Sequence, residues 1–259
     1  MDLVLQHVAA RKLRPGRSLE MARDTAMAAA NLGLPATVAA CLFDLDGVLT
    51  RTAEQHARAW KQVFEERGIP FDAVADYDAY VDGKPRVDGV RSFLSARHID
   101  APPELVDQIA ARKDEIFTEI IHRDGVRTYE GSVCYVQAAR EAGLRLAVVT
   151  SSKHCTQVLR AAGLDGRFDA QVDGNVIDER HLPGKPAPDT YIEAGRMLGV
   201  EPEAAAVYED ALAGVEAGRA GRFGLVVGVD RVGQADALRQ HGADVVVSDL
   251  AELMRRRRS

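Results

Sequence analysis

The sequence predicts an α/β protein, a doubly wound parallel sheet with an inserted α-helical cap. From residue 38 onward, short apolar runs alternate with amphipathic stretches, which is the pattern of strands and helices in a parallel sheet. The interval 70–128 interrupts this alternation with helical patterns and no convincing buried strand. A chain of 259 residues can hold a core of about 150 residues plus a smaller insert. These observations predict a Rossmann-like core that carries a helical cap.

Each predicted element rests on its own pattern. The predicted strands are Val38–Phe43, Leu146–Val149, Ala204–Tyr208, Leu225–Val229 and Val245–Val247. A helix is predicted over Ala53–Arg67, because Ala57, Trp60 and Phe64 recur on one face and Gly68 follows as a C-terminal cap. We interpret Trp60 and Phe64 as core residues rather than as a platform for a ligand.

The same patterns predict the domain organisation. The core comprises residues 38–69 and 129–259, the cap comprises residues 70–128 with helices over Val87–His98 and Pro103–His122, and residues 1–37 form an N-terminal arm. The arm is predicted to be helical, but its residues indicate no chemistry. We interpret the terminal run Arg255–Arg258 as a solvated helix end rather than as a tail that binds nucleic acid or a membrane.

Composition excludes several classes of protein. A net charge of -6 gives no general attraction to nucleic acid, so local positive groups must hold any phosphate. The three cysteines contain no CxxC pair, which predicts neither a disulfide framework nor a zinc site. No apolar run approaches 18 residues and no secretion signal is recognisable. We therefore expect a cytoplasmic protein with no membrane contact and no obligatory protein partner.

Polar residues gather where the predicted strands end, and ligands of open parallel sheets bind at that edge. The candidate groups are Asp44-Leu45-Asp46-Gly47 after the first strand, Thr150-Ser151-Ser152-Lys153 after the second, Glu209-Asp210 after the third, and the turn Gly184-Lys185-Pro186. Taken singly, the acids and hydroxyls are also compatible with helix capping, and Lys185 with an ordinary surface lysine. Acids, hydroxyls and a cation together indicate a site for phosphate and a metal ion.

The spacing of the two aspartates suggests a mechanism. Asp44 and Asp46 stand at i and i+2 on an extended strand end, so both carboxylates point to one side, and Gly47 lets the backbone turn away. Oxygen ligands from Asp44, Asp210 and a backbone carbonyl suit Mg²⁺. With Mg²⁺ and Lys185 neutralising a phosphate ester, Asp44 can attack phosphorus. Asp46 is then placed to act as general acid and base.

At these residues the chain resembles the haloacid dehalogenase-like (HAD) phosphotransferase superfamily. The motifs are FDLDGVLT (43–50), Thr150-Ser151-Ser152, GKPAPD (184–189) and YEDALAG (208–214). Within the superfamily it looks most like the β-phosphoglucomutase-like subfamily, through TAEQHARAW (52–60), DGKPRVDGV (82–90) and ARKDEIF (111–117). The sequence departs from the family pattern at Arg51, where an acidic residue is common, and at Ala211, where a small hydroxyl residue is common.

The resemblance implies a role for each matching residue. Asp44 would be the nucleophile and Asp46 the acid/base. The reacting phosphate would be held by Thr150, Ser151 and Lys185, and Mg²⁺ by Asp44, the Asp46 carbonyl, Glu209 and Asp210. A second phosphate would be held by Arg86, Ser152 and Lys153, while His56 and Lys113 would couple cap closure to the acid/base. For His56, the alternative is an ordinary polar neighbour. For Arg86, Lys113 and Lys153, it is a solvated charge.

The expected activity follows from the resemblance. The leading hypothesis is a phosphosugar mutase that interconverts β-glucose 1-phosphate and glucose 6-phosphate through an aspartyl-phosphate and a sugar bisphosphate. The first alternative is a phosphatase of small phosphate monoesters, in which water resolves the aspartyl-phosphate. The second alternative is a catalytically idle binding or regulatory protein. Whichever holds, the expected partner is a small phosphorylated sugar.

Overall fold

A computed structural model describes residues 29–255 of the chain. Most of the predicted N-terminal arm, residues 1–28, lies outside the described residues, as do the last three arginines of the terminal run and Ser259. Within the described part, no helix is long and apolar enough to cross a membrane.

In the part of the chain that the structure describes, the core is built on one parallel sheet of six strands. The strands are β1 (Ala40–Phe43), β2 (Arg145–Val149), β3 (Ala170–Val172), β4 (Ala205–Glu209), β5 (Leu225–Val229) and β6 (Val245–Val247). Their order in the sheet is β3-β2-β1-β4-β5-β6, and every neighbouring pair is parallel. The predicted α/β class is confirmed. The sequence analysis missed β3, because this strand has three residues and the polar Gln171 at its centre.

Ten α-helices with bounds inside residues 29–255 accompany the sheet. They are α1 (Thr52–Glu65), α2 (Arg86–Ala96), α3 (Pro103–Asp124), α4 (Glu130–Glu141), α5 (Cys155–Ala161), α6 (Gly174–Arg180), α7 (Asp189–Leu198), α8 (Leu212–Ala220), α9 (Ala235–Gln240) and α10 (Ala251–Arg255). Successive residues of a strand point to opposite faces of the sheet. Accordingly, Cys41 and Phe43 belong to one buried cluster, while Ala40 and Leu42 belong to another. Helices therefore bury both faces of the sheet, as expected for a doubly wound fold.

The helical insert lies between β1 and α4 and contains α2, α3 and a π-helical turn, Tyr77–Val81. Helix α1, which the sequence analysis assigned to the core, packs chiefly against α3. We therefore propose that the cap begins at α1 rather than at residue 70. The two crossings between core and cap lie side by side, since Thr50 and Thr128 form an antiparallel bridge.

Candidate active site

The carboxyl edge of the sheet collects the acids that the sequence analysis singled out. Asp44 directly follows β1, Glu209 is the last residue of β4, and Asp210 comes next. Because β1 pairs with β4 in register, with Phe43 opposite Tyr208, these acids meet at one point. All three are buried, and one carboxylate oxygen from each lies within 4.8 Å of the others.

Lys185 supplies the positive charge of this cluster. Its Nζ lies 2.5 Å from Asp44 Oδ1 and 2.5 Å from Glu209 Oε1, and it donates to the Val149 carbonyl at 3.3 Å. Burial would lower the pKa of Lys185, but the charges of Asp44 and Glu209 outweigh burial and raise it. Lys185 is 3% exposed. The reading of this residue as an ordinary surface lysine is therefore wrong.

Glu209 is already satisfied by protein donors. Its Oε1 accepts from Lys185 and from the Tyr191 hydroxyl at 2.8 Å, and its Oε2 accepts from the Ala211 amide at 3.2 Å. A carboxylate with this many donors is well placed to fix Lys185 in position. Its predicted role as a direct metal ligand stays a prediction.

The acids fit a hard cation. Burial raises the pKa of Asp44 well above its usual value, the charge of Lys185 opposes this, and Glu209 and Asp46 add to it. Asp210 likewise has its pKa raised by burial, by Asp82 and by the neighbouring acids. Within residues 29–255, no lysine or arginine forms an ion pair with Asp210. One ammonium for three buried carboxylates leaves negative charge that oxygen-preferring Mg²⁺ would neutralise.

Asp46 lies in a separate hydrogen-bond network. It accepts hydrogen bonds from the Thr52 and Thr150 hydroxyls, the latter at 3.2 Å, and His56 Nε2 lies 3.4 Å away. Burial acts to raise the pKa of Asp46, but His56 and the two threonines together outweigh it and lower the pKa to about 2. Asp46 is thus ionised at neutral pH, the form from which a general base starts.

The capping interpretation of these acids and hydroxyls does not hold. Helix α1 begins after Arg51 and α5 begins after His154, and neither helix has a side-chain cap. Asp46 and Thr150 bond to each other instead. Their side chains are therefore free of the helix ends and face the cleft.

The turn after β1 is held by residues that follow β4 and β5. Gly47 has a φ of +89°, and a Cβ there would lie 1.6 Å from Asp210 Oδ2, so only glycine fits. Arg231, in the loop after β5, donates to the Gly47 carbonyl at 2.7 Å and to the Val48 carbonyl at 3.3 Å. Its guanidinium also lies 3.5 Å from the centre of the Tyr129 ring. Arg231 thereby connects the turn after Asp44 to Tyr129, which follows the crossing from cap to core.

On the cap side, His56 and Lys113 meet above Asp46. Lys113 Nζ lies 2.5 Å from His56 Nδ1, and the His56 ring stacks on Phe117 at 3.7 Å. Burial and the Lys113 charge lower the pKa of His56 to about 4, and burial and Arg86 lower that of Lys113 to about 7. Lys113 is 4% exposed, so the interpretation as a solvated charge is wrong for it.

The hydroxyl loop after β2 contacts the cap directly. Ser151 Oγ donates to the Gly83 carbonyl at 2.8 Å, and Ser152 Oγ accepts from the His154 amide at 3.2 Å. A Cβ on Gly83 would lie 3.1 Å from that of Ala211, so the small residue at 211 leaves room for the cap loop. The other family departure, Arg51, places its guanidinium 4.7 Å from the centre of the Tyr129 ring.

The residues predicted to hold a second phosphate line the same cleft, which encloses about 600 Å³ counting space open to solvent. Arg86 forms an ion pair with Asp114 at 2.7 Å, and Lys153 forms one with Asp178. His154 Nε2 also reaches Asp114, at 2.8 Å. Both cations of the predicted subsite therefore have carboxylate partners in this structure.

Several residues that line this cleft were not predicted from the sequence, among them Asp82, Asp114 and His154. Each lies within or beside a stretch that was singled out, but its residue type alone gave no reason to place it in the site. Burial, followed by the charge of Glu209, raises the pKa of Asp82 to about 7. Trp60, interpreted as core, is buried and also lines the cleft, 5.1 Å from Lys113 Nζ.

Comparisons with known proteins show which family the chain resembles. A model of the haloacid dehalogenase-like hydrolase family matches residues 38–222. A "Beta-phosphoglucomutase" of Mycobacterium tuberculosis is 50% identical over 246 residues, which cover 86% of this chain and 94% of that protein. A "Phosphorylated carbohydrates phosphatase" of Thermotoga maritima is 29% identical over 211 residues, covering 80% and 93%. A crystal structure of a CbbY mutant from Rhodobacter sphaeroides, in complex with xylulose-1,5-bisphosphate, is 27% identical with a TM-score of 0.69, covering 83% of this chain and 96% of that one.

Proposed function

Because the chain belongs to the haloacid dehalogenase-like hydrolase family and resembles β-phosphoglucomutases, we propose that it is a Mg²⁺-dependent phosphosugar mutase acting on β-glucose 1-phosphate. The chain is an enzyme, either a phosphotransferase or a phosphatase, so the idle binding protein is set aside. The observation that carries the mutase proposal is the 50% identity to a β-phosphoglucomutase along nearly its whole length. The product would be glucose 6-phosphate.

The proposed reaction begins with a phosphoryl group on Asp44. Asp46, ionised in this site, accepts the proton of the sugar 6-hydroxyl while that oxygen attacks phosphorus and the bond to Asp44 breaks. The bisphosphate then turns end for end, and Asp44 attacks the 1-phosphate. Asp46 returns its proton to the departing sugar oxygen, which balances the cycle.

Other residues of the site neutralise and orient the phosphoryl group during both transfers. Lys185 offsets charge on the transferring group. The Thr150 and Ser151 hydroxyls donate to Asp46 and to the Gly83 carbonyl in this structure, and they would turn to donate to the bound phosphate. Asp44, Asp210 and the Asp46 carbonyl are the groups that would hold Mg²⁺, with Glu209 close to them. When bound, Mg²⁺ supplies neutralisation of the phosphate charge that would otherwise repel Asp44.

The cap favours a sugar with two phosphates. It presents Arg86 to the cleft, across from the hydroxyl loop of the core, and a guanidinium can bind two phosphate oxygens at once. Cap and core also approach closely, since a Cβ on Gly184 would lie 2.2 Å from Pro85 Cγ. A closed cleft excludes the water that would hydrolyse the aspartyl-phosphate.

A phosphatase is the second candidate. It is favoured by the similarity to a phosphorylated-carbohydrate phosphatase, whose 29% identity also spans nearly the whole of that protein. The same Asp44, Asp46 and Lys185 would serve, with water in place of the sugar hydroxyl. The two activities share every chemical group in the core, so only cap closure separates them.

One assay separates the two candidates. The purified protein is given Mg²⁺, β-glucose 1-phosphate and a trace of glucose 1,6-bisphosphate, and glucose 6-phosphate and free phosphate are followed together. We expect glucose 6-phosphate to form in large excess over phosphate. Release of phosphate in amounts equal to substrate consumed would reject the mutase and leave the phosphatase.

A further inference from the structure

One carboxylate oxygen joins the cap to the core in the cleft. Asp114, on helix α3 of the cap, receives Arg86 Nη1 from α2 at 2.7 Å and His154 Nε2 from the core loop after β2 at 2.8 Å, both on Oδ1. The three side chains are between 19% and 33% exposed, so the contact lies inside the cleft rather than on the outer surface. Asp114 thereby bridges two domains through a single anionic group.

The groups that surround Asp114 are those that a phosphate would take. A guanidinium and an imidazole meet at its oxygen, and Ser152 and Lys153 line the same part of the cleft. Burial acts to raise the pKa of Asp114, but the hydrogen bond from His154 and the charges of Arg86, His154 and Lys113 lower it to about 2. Asp114 is therefore a full anion at neutral pH.

We propose that Asp114 is an internal anion that the second phosphate of the substrate displaces, which makes it a specificity-determining residue of the cap. This inference rests on the proposed mutase function, because it assumes a ligand with phosphate at both ends. A carboxylate and a phosphate dianion cannot both occupy the donors of Arg86 and His154, since like charges at that distance repel. Only a ligand with a strong second anion replaces the bridge.

The bridge between Asp114 and His154 lowers the affinity for a bisphosphate in two ways. It stabilises a closed state without ligand, which competes with the liganded state. It also leaves a negative charge beside the bound second phosphate. A sugar monophosphate with a neutral far end gains nothing from Arg86, so the bridge remains in place. Removing the Asp114 charge should therefore strengthen the binding of a bisphosphate, whereas a purely orienting role would weaken it.

The first test measures the bridge without any ligand. Trp60 is the single tryptophan of the chain, it is buried, and it lines the cleft. Quenching of its fluorescence by acrylamide should rise at least two-fold in Asp114→Asn, because the cap opens more often. The matched control is Asp107→Asn, which removes the same charge from an exposed position of α3 that has no ion pair within residues 29–255. Equal quenching in the two variants would overturn the inference that the Asp114 bridge keeps the cap closed.

The second test measures the displacement. In an Asp46→Asn background, which keeps Asp44 and Lys185 but slows turnover, calorimetry with Mg²⁺ gives the affinity for glucose 1,6-bisphosphate. Adding Asp114→Asn should tighten binding at least five-fold, and adding Asp107→Asn should change it less than two-fold. Unchanged or weaker binding with Asp114→Asn overturns the inference. If the Asp46→Asn protein does not bind the bisphosphate at all, the proposed mutase function is rejected. The quenching comparison then tests the bridge by itself.

Discussion

Lys185 Nζ lies 2.5 Å from Asp44 Oδ1, and the same nitrogen lies 2.5 Å from Glu209 Oε1. The ammonium is therefore shared between the proposed nucleophile and a carboxylate with no exposed surface. Since Glu209 also accepts from Tyr191 and the Ala211 amide, Glu209 fixes the ammonium rather than competing for it. We therefore expect two separable roles for Lys185, one in stability and the proposed one in catalysis.

The stability role predicts the effect of Lys185→Met. Removing the cation leaves Asp44 and Glu209 buried without their partner, and breaking a buried pair in this way costs about 3–5 kcal/mol of unfolding free energy. Urea unfolding at pH 7 measures the loss. The control is Lys61→Met, which removes an exposed lysine paired with Glu65 on α1 and should change stability by less than about 1 kcal/mol. Equal small losses in both variants would contradict the shared ion pair.

Asp44→Asn should abolish turnover while leaving the fold intact. The change removes the nucleophile and a proposed metal ligand but preserves the shape of the side chain, so activity should fall by several powers of ten. Circular dichroism checks folding and the coupled assay for glucose 6-phosphate checks activity. A well-folded Asp44→Asn protein that turns over at a near-normal rate would reject the aspartyl-phosphate.

Asp46→Asn should lower the reaction rate more for substrates with poor leaving groups than for substrates with good ones. The variant keeps Asp44 and Lys185 but loses the proton shuttle, which typically costs on the order of 10²–10⁴-fold in rate. An aryl phosphate, whose leaving oxygen needs no proton, should lose far less than a sugar phosphate. Single-turnover rates of phosphoryl transfer to Asp44 compare the two substrates. Equal losses would mean that Asp46 is not the general acid.

The strand-end residues were accessible to sequence analysis for a physical reason. In a parallel sheet, the residues after each apolar run meet at one edge whatever the details of packing, so Asp44, Asp46, Thr150 and Asp210 could be placed together. The short strand β3 was not predictable, because its three residues carry too little pattern.

The cap contacts could not be predicted in the same way. The bridge between Asp114 and His154 depends on how far the cap closes over the core, and no local pattern encodes that distance. The cap boundary that we propose differs from the predicted one for a related reason. Helix α1 follows β1 in sequence with an ordinary amphipathic pattern, and its packing against α3 is what supports assigning it to the cap.

Lys113 predicts a pH dependence of stability. Its pKa is lowered from 10.5 to about 7 in the folded protein, so between these values the unfolded chain binds a proton that the folded chain does not. The unfolding free energy therefore rises with pH across this window. The penalty of burying the charge is fully present below about pH 7 and disappears above about 10.5.

The measurement compares the wild type with Lys113→Met from pH 6 to pH 10. Relative to the variant, the wild type should gain stability as pH rises, with an upper bound of about 4 kcal/mol over this pH range at about 1.4 kcal/mol per pKa unit. The exposed Lys61→Met serves again as control and should show no such trend. A constant difference between wild type and Lys113→Met would mean that Lys113 keeps an ordinary pKa.

The final prediction concerns Arg86, which most separates a mutase that handles a bisphosphate from a phosphatase of simple monoesters. The reacting phosphate has Lys185 and the hydroxyl loop, whereas a second phosphate at the far end of the sugar needs its own cation. Arg86→Ala should weaken transition-state binding by roughly 2–4 kcal/mol for glucose 1,6-bisphosphate, the range for removing one partner of a buried charged hydrogen bond. Acetyl phosphate, which does not reach Arg86, should be hydrolysed at nearly the wild-type rate.

The comparison of these two substrates also controls for a loss of folded protein in the variant. The ratio of their kcat/KM values in wild type and in Arg86→Ala cancels any reduction in active enzyme, so a change in the ratio reports only on the far phosphate. Arg91→Ala, on the same helix α2 but at an exposed position, is the matched control and should leave the ratio unchanged. If Arg86→Ala lowers kcat/KM equally for both substrates, or for neither, Arg86 does not hold a second phosphate. The mutase proposal would then lose its support from the cap, and hydrolysis of a monoester would become the better account of the site.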